Sequence, residues 1–142
     1  MSDSEKRVYS IDKLSLAIKQ NKNITEIRTI IAGLDNVNET IDDGKTCLYL
    51  AIDNGNKNVV KELLVRSNVN KSDKDNCTPL FAAAKNGHTD IVEQLITAGA
   101  DVNQAPTSGK YRGRTILFNA AQRGYTEIVA KLIEAGADVN KA

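Results

Sequence analysis

The chain is poor in the groups that carry covalent or metal chemistry. Its 142 residues include one histidine, two cysteines, two prolines and 4% aromatic residues. With His88 alone, a serine–histidine–aspartate or cysteine–histidine mechanism has a single possible centre, and nothing recognisable surrounds it. Cys47 and Cys77 stand 30 residues apart. That spacing excludes a zinc knuckle and provides no disulfide framework. Two reduced, packed thiols fit a cytoplasmic protein, with the nucleus or a host cytosol as the other compartments open to it. No apolar run approaches the length of a membrane span. The opening residues Met1-Ser-Asp-Ser-Glu-Lys-Arg7 lack the apolar segment of a secretory signal. Without that route, the sequons at Asn23, Asn38 and Asn76 read as accidental. A net charge of +1 is not that of a polyelectrolyte binder of nucleic acid or anionic membrane. Thr107-Ser-Gly-Lys110 falls short of a phosphate loop: Gln104 replaces the earlier glycine and Tyr111 the Ser/Thr. The acids Asp42 and Asp43 lie at a predicted turn, where aspartate serves the backbone. No catalytic residue, metal site or cofactor is expected.

What the chain has is repetition. Gly44-Lys-Thr-Cys-Leu-Tyr-Leu-Ala-Ile-Asp-Asn-Gly55 recurs in outline as Asn76-Cys-Thr-Pro-Leu-Phe-Ala-Ala-Ala-Lys-Asn-Gly87 and Gly113-Arg-Thr-Ile-Leu-Phe-Asn-Ala-Ala-Gln-Arg-Gly124. Each leads to a second apolar run, around Val59–Leu64, Ile91–Ile96 and Ile128–Ile133, and closes on Val-Asn at Asn70, Asn103 and Asn140. Such a period means stacked units, none of which buries its own core. The threonine register advances by 32 residues from Thr46 to Thr78 and by 37 from Thr78 to Thr115. The extra length falls near residues 104–114, where Pro, Gly and Ser predict a long surface loop.

The punctuation is helical. Thr46, Thr78 and Thr115 precede apolar-periodic runs, where a hydroxyl accepts from a first-turn amide. Pro79 follows Thr78 at a position where a missing N–H costs nothing. Gly55, Gly87 and Gly124 end the first helices. Second helices start near Lys57, Thr89 and Thr126. At about eight to ten residues such helices are marginal alone. Stacking must hold them, each buried Leu, Ile or Val contributing at most about 1.5–3 kcal/mol. Residues 9–40 read as a diverged first unit. Ile11, Leu14 and Ile18 line one face, and Ile27, Ile30 and Ile31 supply the second helix, but the Gly-x-Thr entry and central glycine are missing.

These residues resemble the ankyrin repeat. Thr78-Pro-Leu-Phe81 is similar to the family's Thr-Pro-Leu-His entry, and Ala98-Gly-Ala-Asp-Val-Asn103 and Ala135-Gly-Ala-Asp-Val-Asn140 to its closing turn. The resemblance implies an all-α repeat fold, an ankyrin solenoid of about four helix–turn–helix units with short β-turn fingers. It would comprise a polar tail at 1–8 and a single repeat domain at 9–142. Within that domain lie a capping unit at 9–40 and repeats at 41–72, 73–109 and 110–142. Tyr49, Phe81 and Phe118 replace the entry histidine, so packing should replace its hydrogen bonds. The turn Arg66-Ser-Asn-Val-Asn70 is one residue short and should be the least regular. The last unit ends as an internal repeat does, placed to receive another or to tolerate exposed apolar area. Its continuation or self-association leaves the oligomeric state open.

For function, the resemblance implies a non-enzymatic module that binds a protein partner through its fingers and concave inner-helix face. The expected surface is Asp42, Asp43, Lys45, Asp53 and Asn54 in the second unit; Lys74, Asp75, Cys77, Lys85 and Asn86 in the third; and Lys110, Tyr111, Arg112, Arg114, Gln122 and Arg123 in the fourth. Their formal charges sum to −2, +1 and +4, an acidic-to-basic gradient. The long loop should carry Tyr111 and Arg112 farther out than the other fingers. An acidic peptide or protein surface suits that end, since Arg and Tyr are enriched at binding hot spots. The resemblance also suggests asparagine hydroxylation at Asn103 and Asn140; the alternative is that these side chains fix the turns. Two further readings remain: a spacer or part of a longer array, and an anion or nucleic-acid binder using the basic end.

Overall fold

The computed structural model describes residues 10–140. The tail expected at 1–8, Tyr9 and the last two residues lie outside them. Among the described residues eight α-helices follow one another: α1 (Ile11–Lys19), α2 (Ile24–Ala32), α3 (Cys47–Asp53), α4 (Lys57–Leu64), α5 (Pro79–Lys85), α6 (Thr89–Thr97), α7 (Ile116–Gln122) and α8 (Thr126–Glu134). They are seven to nine residues long, slightly shorter than expected. Among the described residues there is no strand, only a bridge between Thr40 and Thr46. No helix among them is long and apolar enough to cross a membrane.

Local chemistry sets the helix ends. The Thr46, Thr78 and Thr115 hydroxyls are buried and accept from the amides of Tyr49, Phe81 and Phe118 at 3.2, 3.1 and 3.0 Å. Ser10 does the same for Lys13 in α1, which lacks the threonine. The missing central glycine of the first unit is replaced by Asn21 at φ 54°, a conformation asparagine tolerates. At Gly55 and Gly87 a close neighbour also favours glycine. A Cβ on Gly55 would sit 2.9 Å from His88 Cε1, and one on Gly87 3.0 Å from Tyr125 Cζ. His88 is therefore a packing residue, its ring seated on the preceding unit.

The helices stack in two layers. α1, α3, α5 and α7 pack in series, as do α2, α4, α6 and α8, and each first helix packs on its own second helix. One continuous core runs through the stack, from Leu14, Ile18 and Ile27 through Leu48, Ile52 and Leu63 to Leu80, Phe81, Leu95, Ile116, Ile128 and Leu132. Ala82, Ala83 and Ala84 are fully buried and let the α5 backbone approach its neighbours. Ion pairs span successive outer helices: Arg28–Glu62, Lys57–Asp90 and Lys131–Glu93 at 2.8, 3.3 and 3.4 Å. Being largely exposed, they add little compared with the core.

The closing turns are joined by asparagines. Asn38 Oδ1 accepts from the amide of Asn68, Asn70 Oδ1 from Asp101, and Asn103 Oδ1 from Asp138, at 2.7, 2.8 and 2.8 Å. These three Val-Asn closures thus hold the turn of the next unit. The short turn after α4 lacks a left-handed residue, leaves Val65 exposed, and is braced by Arg66 donating to the Ile31 and Leu34 carbonyls.

Candidate functional site

The fingers are tight turns fastened to one another. The first, Asp42–Gly44, is closed by Ile41 N–H donating to Lys45 O at 2.7 Å. The second is organised by Asp73, whose Oδ1 accepts from the amides of Asp75 and Cys77 at 2.9 and 3.0 Å. The two meet where Lys74 N–H donates to Asp43 O at 3.0 Å and Lys74 Nζ pairs with Asp43 Oδ1 at 3.1 Å. That hydrogen bond and charge raise the Lys74 pKa. Asp75 then holds the long loop, accepting from Ser108 Oγ at 2.9 Å and, on its carbonyl, from Thr107 N–H at 3.1 Å.

This loop corrects one expectation. Tyr111 does not project beyond the other fingers; it folds back, half-buried, onto Phe81, with ring centroids 5.4 Å apart and planes tilted by 60°. Lys85 and Lys110 place their ammonium groups 5.2 and 5.4 Å from its ring centre. Gly113 N–H donates to Pro106 O at 2.8 Å and closes the loop on itself. The phenol therefore anchors the loop by edge-tilted and cation–π contacts. Arg112 remains exposed.

On the inner helices the acidic residues are largely paired. Lys45 Nζ lies 3.3 Å from Asp53 Oδ2 and 5.2 Å from the Tyr49 ring centre. Asn86 donates to the other Asp53 oxygen at 3.3 Å. Tyr49 OH donates to Asp73 Oδ2 at 3.3 Å; burial, then the Asp73 charge, pushes the phenol pKa up. Asp42 and Asn54 are exposed without an ion pair or side-chain hydrogen bond among the described residues. Cys77 corrects a second expectation. It belongs to the core, and burial followed by the Asp73 charge pushes its thiol up to about 11. Phe118 corrects a third: Tyr49 and Phe81 are buried, but Phe118 is 42% exposed, with no further helix over it among the described residues.

The basic end differs from the acidic one. Among the described residues Arg112 and Arg114 form no ion pair, and Gln122 is exposed without a side-chain partner. Arg123 is engaged: its Nε donates at 3.0 Å to Oδ1 of Asn119, a buried asparagine on α7. This hydrogen bond, invisible in the sequence, makes Arg123 a support for the helix as well as a surface charge. An open groove of about 560 Å³ lies on the outer layer, between α4 and α6, with Lys57, Lys61, Leu64 and Gln94 in its walls.

The two asparagines proposed for modification are not equivalent. Asn103 is held at both ends of its amide, with Oδ1 on the Asp138 amide and Nδ2 donating to Gly136 O at 3.3 Å. The Asn140 side chain is exposed and has no partner among the described residues.

Comparison with known proteins agrees with this geometry. The family model described as ankyrin repeats (3 copies) matches residues 14–106 and 68–142. No curated protein matches the chain significantly. Ankyrin repeats in general mediate protein–protein interaction. Capped helix pairs stacked in two layers, tight turns projecting between them and a family match covering nearly the whole length together place this chain in the ankyrin-repeat family.

Proposed function

We propose that this chain is a non-enzymatic interaction module whose finger and inner-helix side takes an acidic segment of a protein partner at its basic end. The observation that supports the reading is the distribution of unpaired charge. The early acids Asp43 and Asp53 are neutralised within the molecule by Lys74 and Lys45. Arg112 and Arg114 have no carboxylate partner among the described residues, and Lys85 and Lys110 flank them around Tyr111. The unpaired positive charge of this side is therefore concentrated beside the long loop, while Asp42 stays unpaired among the early acids. Guanidinium groups bind carboxylates in two-point fashion, and the contact should weaken with salt. Asp42 and the Lys45–Asp53 region would contact the less acidic part of the partner.

The test uses a fluorescent ten-residue polyglutamate peptide. Binding at low salt should be lost in the Arg112→Glu/Arg114→Glu variant, whose circular dichroism stays that of the parent. Arg123 is left intact, because reversing it also breaks the bond to Asn119. Undiminished binding by the variant would remove the basic end as the site. A single-stranded oligonucleotide that binds with a steep salt slope, where polyglutamate fails, would favour the anion-binding alternative.

A further inference from the structure

Helix α7 carries a residue that the other inner helices do not. At the fourth position after the N-cap, α1, α3 and α5 have Leu14, Leu50 and Ala82, whereas α7 has Asn119. Asn119 is 3% exposed and is the only buried amide side chain among the described residues. An amide taken out of water costs free energy unless its polar atoms are bonded. Asn119 Oδ1 finds its partner one turn on, accepting from Arg123 Nε at 3.0 Å. At the position of Arg123 the other units have Ile18, Asn54 and Asn86. A buried amide and an exposed guanidinium therefore occur together, and in this unit alone.

The bond uses one particular nitrogen. Nε is the guanidinium donor nearest the backbone, so Asn119 holds the stem of the group and leaves the N–H groups of Nη1 and Nη2 unused. Arg123 is exposed and makes no ion pair or other side-chain hydrogen bond among the described residues. The inner helices beside it offer no acid. α5 and α7 contain no aspartate or glutamate, and Asp53 on α3 already has Lys45 on one oxygen and Asn86 on the other. The paired Nη groups match the two oxygens of a carboxylate.

We infer that Arg123 grips one side-chain carboxylate of the acidic partner segment end-on, through both Nη groups, and that Asn119 is its positioning residue. This rests on the acidic-segment reading above and adds to the loop arginines a contact on the inner face of α7. Geometry, beyond charge, carries that contact. A guanidinium already fixed at Nε loses less rotamer freedom when the carboxylate arrives.

The experiment measures binding of the fluorescent polyglutamate peptide at low salt. In Arg123→Gln the side-chain nitrogen stands as far along the chain as arginine Nε, so a donor for Asn119 remains while the fork is gone. The dissociation constant should rise at least about tenfold, with the urea midpoint unchanged. Arg123→Lys keeps the charge without the fork and should bind at least about fivefold more weakly. Asn119→Ala keeps the whole guanidinium, yet binding should weaken about three- to tenfold. In its NMR spectra the Arg123 Nε–H should exchange faster with water than in the parent. Parent-level binding by Arg123→Gln or Arg123→Lys would overturn the two-point grip. Parent-level binding by Asn119→Ala, or an Nε–H whose exchange is unaltered, would overturn the positioning role. A parent chain that does not bind polyglutamate would overturn the acidic-segment reading itself, and this inference with it.

Discussion

Asn103 and Asn140 provide an internal experiment, because each closes the same hexapeptide, Ala-Gly-Ala-Asp-Val-Asn. In both turns the asparagine amide donates to the preceding aspartate, at 2.9 Å from Asn103 to Asp101 and from Asn140 to Asp138. Replacement by alanine removes neither of these bonds. It removes only what the side chain does, and the side chains differ. Asn103 accepts from Asp138 N–H at 2.8 Å and donates to Gly136 O at 3.3 Å, joining two turns that are 35 residues apart. A net value of about 0.5–1.5 kcal/mol per hydrogen bond, taken toward the lower end for this partly exposed site, predicts a loss of about 1–2 kcal/mol for Asn103→Ala. Asn140→Ala should change stability by less than about 0.5 kcal/mol. Urea unfolding monitored by circular dichroism measures both, and residue-resolved exchange should show the Asp138 amide losing protection in Asn103→Ala alone. Equal losses in the two variants, or an Asp138 amide that stays protected without Asn103, would refute the claim that these asparagines fasten one turn to the next.

Further outcomes follow from other joints. Gly87→Ala and Gly124→Ala carry the same left-handed strain, at φ 75° and 76°, but only the first places its methyl on the Tyr125 ring. Gly87→Ala should therefore be the more destabilising in thermal melts, by about 1–3 kcal/mol of overpacking, and equal melts would contradict the seat described for Tyr125. Thr78→Ala should cost about 1 kcal/mol, because it strands the Phe81 amide in a buried helix end, and Thr78→Ser should restore most of it in the same urea assay. Stability should also fall on the alkaline side. Burial pushes the Cys47 thiol up to about 12 and Cys77 to about 11, from an ordinary value of 9.0. Between about pH 9 and 12 the unfolded chain releases protons that the folded chain keeps, so unfolding becomes easier as pH rises, by at most about 1.4 kcal/mol per pH unit for each thiol. Urea midpoints at pH 8 and 10.5 read this slope, and a Cys47→Ala/Cys77→Ala variant with an undiminished slope would assign it elsewhere.

Helix boundaries were readable because their causes are local. A threonine before an apolar run and a glycine after it meet the backbone's needs within a few residues, and Thr46, Thr78 and Thr115 all cap as their positions imply. Even the diverged first unit obeys this rule, with Ser10 and Asn21 substituting for the usual residues. The surface was less readable because its arrangement depends on contacts between units. No spacing rule pairs Lys74 with Asp43, turns Tyr111 back onto Phe81, or couples Arg123 to a buried Asn119. Composition described a smooth acidic-to-basic gradient. The structure replaces it with an early region whose acids Asp43 and Asp53 are paired and a basic late one. The pattern of Val-Asn closures was plain in the sequence, but their coupling from turn to turn became evident only with the turns side by side.

The central claim is that each helix pair owes its stability to the pairs on either side. Residue-resolved amide exchange on the full chain tests it most directly. The account predicts the slowest exchange in α3 to α6, which are covered on both sides, and faster exchange in α7 and α8, whose outer face bears Phe118 and Ile133. Exchange in α7 and α8 as slow as in α5 would contradict it, since a pair covered on one side would then be as secure as a pair covered on two.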